Sequence, residues 1–398
     1  MSDQDVVVVS VARTPFGRFE GALSGIDGPV LGALAIDEAV RRAGMLPDSV
    51  GAVYGGVGMI ASGVLTPVRQ AVLRSCLPES TPSAAIDRAC CSGMTAIGIG
   101  FRELLLDESE VVVCGGFDSL SRTPLLWPRD RARRIGNVAV EDPLLLRGAV
   151  VDRPIAVYSG EEALRRGVDR EQQDRWAVES HRRYARAEAA GRFAFERFAV
   201  QAPGGKGAQI RVDTDESPRP DTTLEKLARL EPVYGGRTIT AGNAPGLNDG
   251  AAFLVLCRRG YARAHGLEPL ARIVDHAQVC GGPTSGTSTP AAAIARLAQR
   301  NGREVRQWDG IEINEAYAAT PLVSTLVLAD GDEQEAARLR ERTNVHGGAV
   351  AIGHPLGASG ARIVMSLINC LRRRGGGRGV AAICGGFGQG DGVMVEVG

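Results

Sequence analysis

Apolar residues fall in short runs, and the stretches between them carry helical spacing. Residues 6–12 (VVVVSVA), 52–58 (AVYGGVG), 111–116 (VVVCGG), 311–314 (IEIN), 379–388 (GVAAICGGFG) and 392–398 (GVMVEVG) read as buried strands. Residues 28–43, 90–106 and 355–373 repeat their apolar positions with the helical period. Alternation of this kind predicts an α/β fold, a mostly parallel mixed sheet with helices on its faces. The last two runs predict a closing hairpin. The middle of the chain breaks the rhythm. Residues 120–154 are rich in Arg, Pro and Asp and read as an extended excursion. Residues 169–190 read as a charged amphipathic helix, and 203–223 are rich in Gly, Pro and charge. The organisation expected is an N-terminal core half over 1–119, an inserted loop domain over 120–234 with a return segment to about 250, and a C-terminal core half over 251–398.

The two halves share a pattern. CSGMTAIGIGFRELL precedes VVVCGGF, and ASGARIVMSLINCLRRR precedes AAICGGF. Each opens on Ser-Gly, continues as a helix and ends in a C-G-G-F strand. Cys114 follows Gly93 by 21 residues, Cys384 follows Gly360 by 24, and RRRGGGR (372–378) absorbs the difference. This is one helix–strand unit used twice, and two distant copies do not make a solenoid.

Composition narrows the function classes. The 398 residues suffice for two or three domains. A formal net charge of +0 leaves no electrostatic footprint for nucleic acid or an anionic membrane. Lys206 and Lys226 are the two lysines, so phosphate contacts fall to arginine. No apolar run approaches the roughly 20 residues of a membrane helix. The start is acidic and then a strand, unlike a secretory signal, and the final VEVG is not a peroxisomal address, so a cytoplasmic protein is expected. Eight cysteines without a C-x-x-C pair, and five scattered histidines, speak against zinc.

Four stretches could carry chemistry, each with a plainer reading beside it. DRACCSGMTAIG (87–98) puts a cysteine at a helix start, where the helix dipole favours thiolate; the alternative is two packed thiols. NVHGGAVAIGHPLGASGAR (344–362) holds His354 in a constrained turn before a helix, as a base or as a packed loop residue; His346 reads as structural. EINEAYAAT (312–320) puts Asn314 at a strand–helix junction, where it caps the helix or holds an oxygen. TAGNAPGLNDGAA (240–252) is a loop of small residues, suited to a slender ligand or serving only as a connection that Asp249 braces.

Together with SVARTPFGRFEG, GGFDSLSRTP, RPDTTLEKLARLEP and CGGFGQG, these stretches resemble the thiolase family (acetyl-CoA acetyltransferases and 3-ketoacyl-CoA thiolases) in order and over essentially the whole chain. The resemblance implies two similar core halves with an inserted loop domain, assembled as a homodimer or homotetramer. It implies reversible Claisen condensation of acetyl-CoA with an acyl-CoA, or thiolysis of a 3-ketoacyl-CoA, with coenzyme A as substrate and product and no other cofactor. In C-x-S-G, Cys90 matches the nucleophile; in G-H-P-x-G, His354 matches its base; in C-x-G-x-G-x-G, Cys384 matches the second catalytic cysteine. One oxyanion hole is implied from His354 and a water held by Asn314, the other from the backbone N–H groups of Cys90 and Gly386. Contacts to coenzyme A carry over to Arg219, Ala244, Pro245, Leu247, Ala316 and Tyr317.

Three positions depart from the family pattern. Asp87 stands where Asn is common and opposes a thiolate unless it caps backbone N–H groups. Pro245 replaces a serine. PIAVYSGEE (154–162) lacks the His-Met-Gly of acetoacetyl-specific members, leaving room for chains longer than acetyl. Two alternatives remain: a catalytically impaired thiolase-like protein that binds CoA or lipid, and a ketoacyl-synthase-like condensing enzyme, against which Cys384 argues. Cys114, the first-copy counterpart of Cys384, reads as a structural thiol.

Overall fold

The computed structural model describes residues 2–59, 65–127, 137, 139–148 and 150–398. Its strands are β1 (Val6–Arg13), β2 (Gly17–Arg18), β3 (Ala52–Gly56), β4 (Ser83–Ile86), β5 (Val111–Ser119), β6 (Val200–Pro203), β7 (Gln209–Val212), β8 (Asn248–Arg258), β9 (Ala271–Cys280), β10 (Gly310–Ile313), β11 (Gly377–Gly385) and β12 (Gln389–Val397). β1 and β5 are buried along their whole length, as expected of apolar runs covered on both faces.

The main sheet runs β10-β11-β12-β9-β1-β8-β5-β3-β4, with β2 beside β8. The duplication is written into this order. In the first half β1 pairs antiparallel with β8, β8 antiparallel with β5, and β5 parallel with β3. In the second half β9 pairs antiparallel with β12, β12 antiparallel with β11, and β11 parallel with β10. Even β4 beside β3 has an echo, in the single parallel bridge from Ile311 to Thr343. The halves join where Val7 and Val8 meet Arg272 and Ala271.

The two repeated helices, Ser92–Leu105 and Leu356–Arg373, pack against each other between the halves. Residues 356–371 are buried on every side. Small residues allow this contact: a Cβ on Gly93 would lie 2.2 Å from the Gly357 carbonyl oxygen, and one on Gly360 would lie 2.5 Å from the Met94 nitrogen. Any larger side chain would force the helices apart.

The insertion holds the helices Ile155–Arg165 and Arg170–Ala189 and the β6–β7 hairpin. Asp169 and Gln172 form a capping box at the start of the longer helix, a device contributing about 1 kcal/mol. The insertion is tied to β1 by Arg13, whose guanidinium reaches Glu196 and Asp215, each at 2.7 Å, with all three side chains buried. Removing Arg13 would leave the buried Glu196 carboxylate without its ion-pair partner, at a cost of about 3–5 kcal/mol, while Asp215 would keep Arg197 at 3.1 Å.

Three sequence expectations change. The main sheet is mixed but not mostly parallel: β10–β11, β3–β4 and β3–β5 pair parallel, and the pairs β1–β8, β1–β9, β11–β12, β12–β9, β2–β8 and β5–β8 are antiparallel. Residues 251–258, assigned from sequence to the second half, belong to β8, which lies between β1 and β5 in the first. The stretch 240–252, read as one loop, becomes strand at Asn248. Its polar start hides the strand. Asn248 and Asp249 are fully buried, and their side chains meet Gly17, Ser217 and Ser121 instead of water. Asp249 therefore braces the start of the insertion, not the loop itself.

Candidate active site

Both repeated helices deliver a reactive side chain at their N-terminal ends. Cys90 stands two residues ahead of the first helix, after Ala89 in the left-handed region at φ 51°. Ser92 clamps this turn: its hydroxyl donates to the Ala89 carbonyl at 2.5 Å and accepts from the Arg88 N–H at 2.8 Å. Asp87 accepts from the Ala89 N–H at 3.0 Å. Its carboxylate thus caps the turn, while its charge still adds, as the least of the raising causes, to the upward push on the Cys90 thiol.

His354 enters from the second half. Gly353 before it has φ 112°, a conformation for glycine, and a Cβ there would lie 2.7 Å from the Asn248 amide. That amide oxygen accepts from the His354 N–H at 2.8 Å. The ring is held by Ser359, the counterpart of Ser92, with Nδ1 2.6 Å from the hydroxyl oxygen. Ser359 donates its own proton to the Pro355 carbonyl at 2.8 Å, so it accepts from Nδ1–H. Nε2 then carries the lone pair, and it lies 3.2 Å from Cys90 Sγ. The geometry is that of a thiol donating to its base.

Burial sets the resting protonation. It pushes the Cys90 thiol well above its ordinary range, with Cys384 and Asp118 adding. It lowers His354 to about 3, helped by the Arg362 charge. The helix start does not produce a free thiolate, as its dipole alone would suggest. The pair rests as thiol and neutral imidazole, so forming a Cys90 thiolate means moving its proton to Nε2.

Cys384, at the end of β11, opens onto the same cavity. Burial, then the nearby Glu162, pushes its thiol up to about 12. The cavity measures about 200 Å³ and also takes in Gly386, Ala244, Pro245, Leu247, Ala316 and Tyr317. Asn314 is buried, and neither its amide oxygen nor its nitrogen has a protein partner. It does not cap the next helix, whose N-cap is Ala318. Arg219 is not among the lining residues: its guanidinium donates to the Ala241 carbonyl at 3.3 Å on the exposed side of the loop.

Sequence reasoning missed Ser359 as the partner of His354, although its Ser-Gly pair marks a helix start. It also missed the apolar wall of Leu144, Leu145, Leu146, Tyr158, Tyr234 and Phe387. Leu144, Leu145, Leu146 and Tyr234 come from aperiodic segments with no local pattern to mark them, whereas Tyr158 and Phe387 lie in stretches quoted above for other reasons.

The fold and this cavity define a class: a duplicated α/β scaffold that gathers two cysteines and a histidine, from both halves, around one chamber. Within that class, residues 6–260 match the family model "Thiolase, N-terminal domain" and residues 267–397 match "Thiolase, C-terminal domain". The chain belongs to the thiolase family and is a CoA-dependent acyltransferase of thiolase type. An acetyl-CoA acetyltransferase and a beta-ketoadipyl-CoA thiolase, both of Pseudomonas aeruginosa, are each 37% identical to it. The first alignment covers 97% of this chain and 98% of the relative, the second 99% of each. Human mitochondrial 3-ketoacyl-CoA thiolase superposes with a TM-score of 0.92 at 34% identity, over 99% of both chains. Nothing in these likenesses supports the impaired binding protein or the ketoacyl-synthase-like enzyme. Among the described residues no helix is long and apolar enough to cross a membrane.

Proposed function

We propose that Cys90 is the nucleophile, His354 its base and Cys384 the acid/base at carbon, acting on apolar, uncharged acyl chains longer than acetyl. The observation that carries the catalytic assignment is the 3.2 Å approach of His354 Nε2 to Cys90 Sγ inside a cavity that Cys384 shares. Cys90 gives its proton to Nε2 and attacks the 3-keto carbon of a 3-ketoacyl-CoA. The bond between C2 and C3 breaks, its electron pair stays on C2 of the departing acetyl-CoA, and the Cys384 thiol protonates it. The acyl group now sits on Cys90 as a thioester. Free coenzyme A, its thiol deprotonated by Cys384, then attacks the thioester, and Cys90 recovers its proton from His354. Condensation runs these steps in reverse.

Each tetrahedral oxygen needs donors. Once protonated, His354 Nε2 becomes one, and the unpartnered Asn314 amide suits a water beside it. The N–H groups of Cys90 and Gly386, brought together from the two halves, form the second hole. Coenzyme A enters as substrate and product, without a further cofactor, along Ala244, Pro245, Leu247, Ala316 and Tyr317. Arg219 then serves as an outer phosphate contact, where its always-charged guanidinium suits the ligand.

The acyl preference rests on the cavity wall. Leu144, Leu145, Leu146, Tyr158, Tyr234 and Phe387 are apolar or aromatic, and no Lys or Arg is among the described lining residues. A free carboxylate on the acyl group would face no cation among the described lining residues, only hydroxyls such as those of Tyr158, Thr287 and Thr320, and burying its charge without a counter-ion is costly. This favours plain chains over the dicarboxylic type named by the beta-ketoadipyl relative. A homodimer or homotetramer fits the resemblance, with β4 as the last strand on its side of the sheet. The eight free cysteines suit a reducing cytoplasm.

A thiolysis assay across 3-ketoacyl-CoA chain lengths, with beta-ketoadipyl-CoA included, tests the preference. Highest kcat/KM is expected for uncharged acyl chains longer than that of acetoacetyl-CoA. A maximum at acetoacetyl-CoA or at beta-ketoadipyl-CoA would reject it. For the catalytic roles, mixing Cys90→Ala with an acyl-CoA should leave the intact mass unchanged.

A further inference from the structure

The second oxyanion hole has a mechanical problem. Its two donors, the N–H groups of Cys90 and Gly386, belong to different halves of the duplication, and their spacing must hold to fractions of an ångström. One partly buried side chain spans that gap. Arg88, two residues before Cys90, donates from Nε to the Gln389 side-chain oxygen at 2.9 Å. Gln389 in turn donates from its amide to the Gly386 carbonyl at 3.2 Å. The other arm of Arg88 donates to Asp391 and, at 2.9 Å, to Thr95 Oγ1. Asp391 is fully buried on β12 and also accepts from Thr95 at 2.5 Å, with His276 Nε2 3.4 Å away.

We propose that Arg88 is a positioning residue that fixes the Cys90 turn against the Gly386 turn, with Asp391 holding the guanidinium in place and Gln389 passing the restraint to Gly386. The backbone repeats the arrangement. The Arg88 carbonyl accepts from the Cys91 N–H at 3.2 Å, and a Cβ on Gly385 would lie 2.7 Å from that carbonyl oxygen, so the two turns are in direct contact. Arg88 is not one of the cavity-lining residues, and its Nε and Nη1 donors are engaged inside the protein. The groups that weigh most on the Cys90 thiol besides its burial are Cys384, Asp118 and Asp87. Its part is geometric.

This inference rests on the reading that the N–H groups of Cys90 and Gly386 receive the thioester oxygen. The test therefore compares two reactions of one thiol. Acylation by hexanoyl-CoA passes through an oxyanion, whereas alkylation by iodoacetamide does not. In Arg88→Met, the rate of acyl-enzyme formation, followed by quenched-flow mass spectrometry, is expected to fall about 10- to 100-fold, within the loss for one misplaced oxyanion donor. Cys90 alkylation should stay within about twofold of the parent. Gln389→Met cuts the link to Gly386 without touching the Arg88–Asp391 pair, and should show the same split to a smaller degree. Should Arg88→Met not fold, Gln389→Met carries the test alone. Parallel loss of both reactions would make Arg88 a general structural residue, and loss of neither would make it dispensable; either result overturns the proposal. Acylation of Cys90→Ala, by contrast, would overturn the nucleophile assignment beneath it.

Discussion

β5 and β11 carry the same four residues, Cys-Gly-Gly-Phe, within the last part of one strand and across the end of the other, at equivalent places in the two halves, yet they face different things. In the first copy, a Cβ on Gly116 would lie 2.2 Å from the Gly357 carbonyl oxygen and 2.5 Å from that of Gly56, so backbone fills the space. In the second copy, a Cβ on Gly386 would meet nothing nearer than the Ala89 methyl at 3.5 Å, and the open side is the cavity. Cys114 is fully buried against the Gly100 backbone, while Cys384 lines the chamber. The chain just past each motif explains the split. β11 returns at once as β12 through a tight turn, with Phe387 at φ 58°. β5 reaches its antiparallel partner β8 only after residues 120–247. The inserted domain thus occupies the place that, in the other half, is a three-residue turn. One position in the duplicated plan yields the tight turn beside Cys384 in one half and the inserted segment in the other.

The largest effect expected from this comparison is at Cys384. Cys384→Ala should lower thiolysis turnover by about 10²- to 10⁴-fold, the usual contribution of a general acid. Cys90 in that variant should still gain an acyl mass from hexanoyl-CoA. Loss of acylation as well would mean that Cys384 acts on the first step, and that the division of labour between the cysteines is wrong.

How far such a contrast can be read from sequence depends on the kind of signal. The repeat itself is visible there, because strand and helix periods are local and both copies keep them. Cys90, His354 and Cys384 lie in motifs whose order along the chain is enough to single them out. The strand at 248–258 escapes because its pairing is decided over 240 residues of sequence separation and it begins with two polar residues. The tautomer of His354 depends on where the Ser359 proton goes, which only the Pro355 carbonyl settles. Arg88 reads as an ordinary residue next to the nucleophile motif, since its partners Gln389 and Asp391 lie about 300 positions away.

Next in size is the pair of glycines. Gly116→Ala forces a methyl into two carbonyl oxygens and should cost about 2–3 kcal/mol, as overpacking does. Gly386→Ala has room and an ordinary φ, and should cost less than about 1 kcal/mol. Urea midpoints of the two variants measure the difference. Equal losses would mean that the second turn is as tightly packed as the first.

A smaller effect belongs to Asp118, which stands four residues past Cys114, where the second copy has Gly388. Its carboxylate accepts from the N–H groups of Gly357, Gly58 and Met59, so it ties the first half to the helix start below His354. Burial nevertheless raises it to about 7, against those backbone donors. The folded protein then keeps this proton between about pH 4 and 7, where the unfolded chain has released it. Stability from this group falls as pH rises across that window, at up to about 1.4 kcal/mol per unit. Glu312, raised to about 8, acts in the same sense, and the buried His354, lowered to about 3, in the opposite one. Comparing Asp118→Asn with the parent at pH 5 and pH 7.5 isolates the group. The parent should lose stability relative to the variant on going to the higher pH; an unchanged gap would show that the backbone donors, not burial, govern Asp118.

The smallest effect should come from the cysteine that most resembles Cys384 in sequence. Cys114→Ala removes one sulfur from a closed pocket and should cost roughly 1 kcal/mol of stability, the scale of one buried methylene-sized group. Turnover should stay within about twofold, since the Cys114 thiol is buried away from the chamber and its own burial holds it protonated. If kcat fell tenfold while the urea midpoint barely moved, Cys114 would be coupled to the reaction. The contrast between the two copies would then lie in distance from the substrate, and no longer in whether the repeated cysteine was recruited at all.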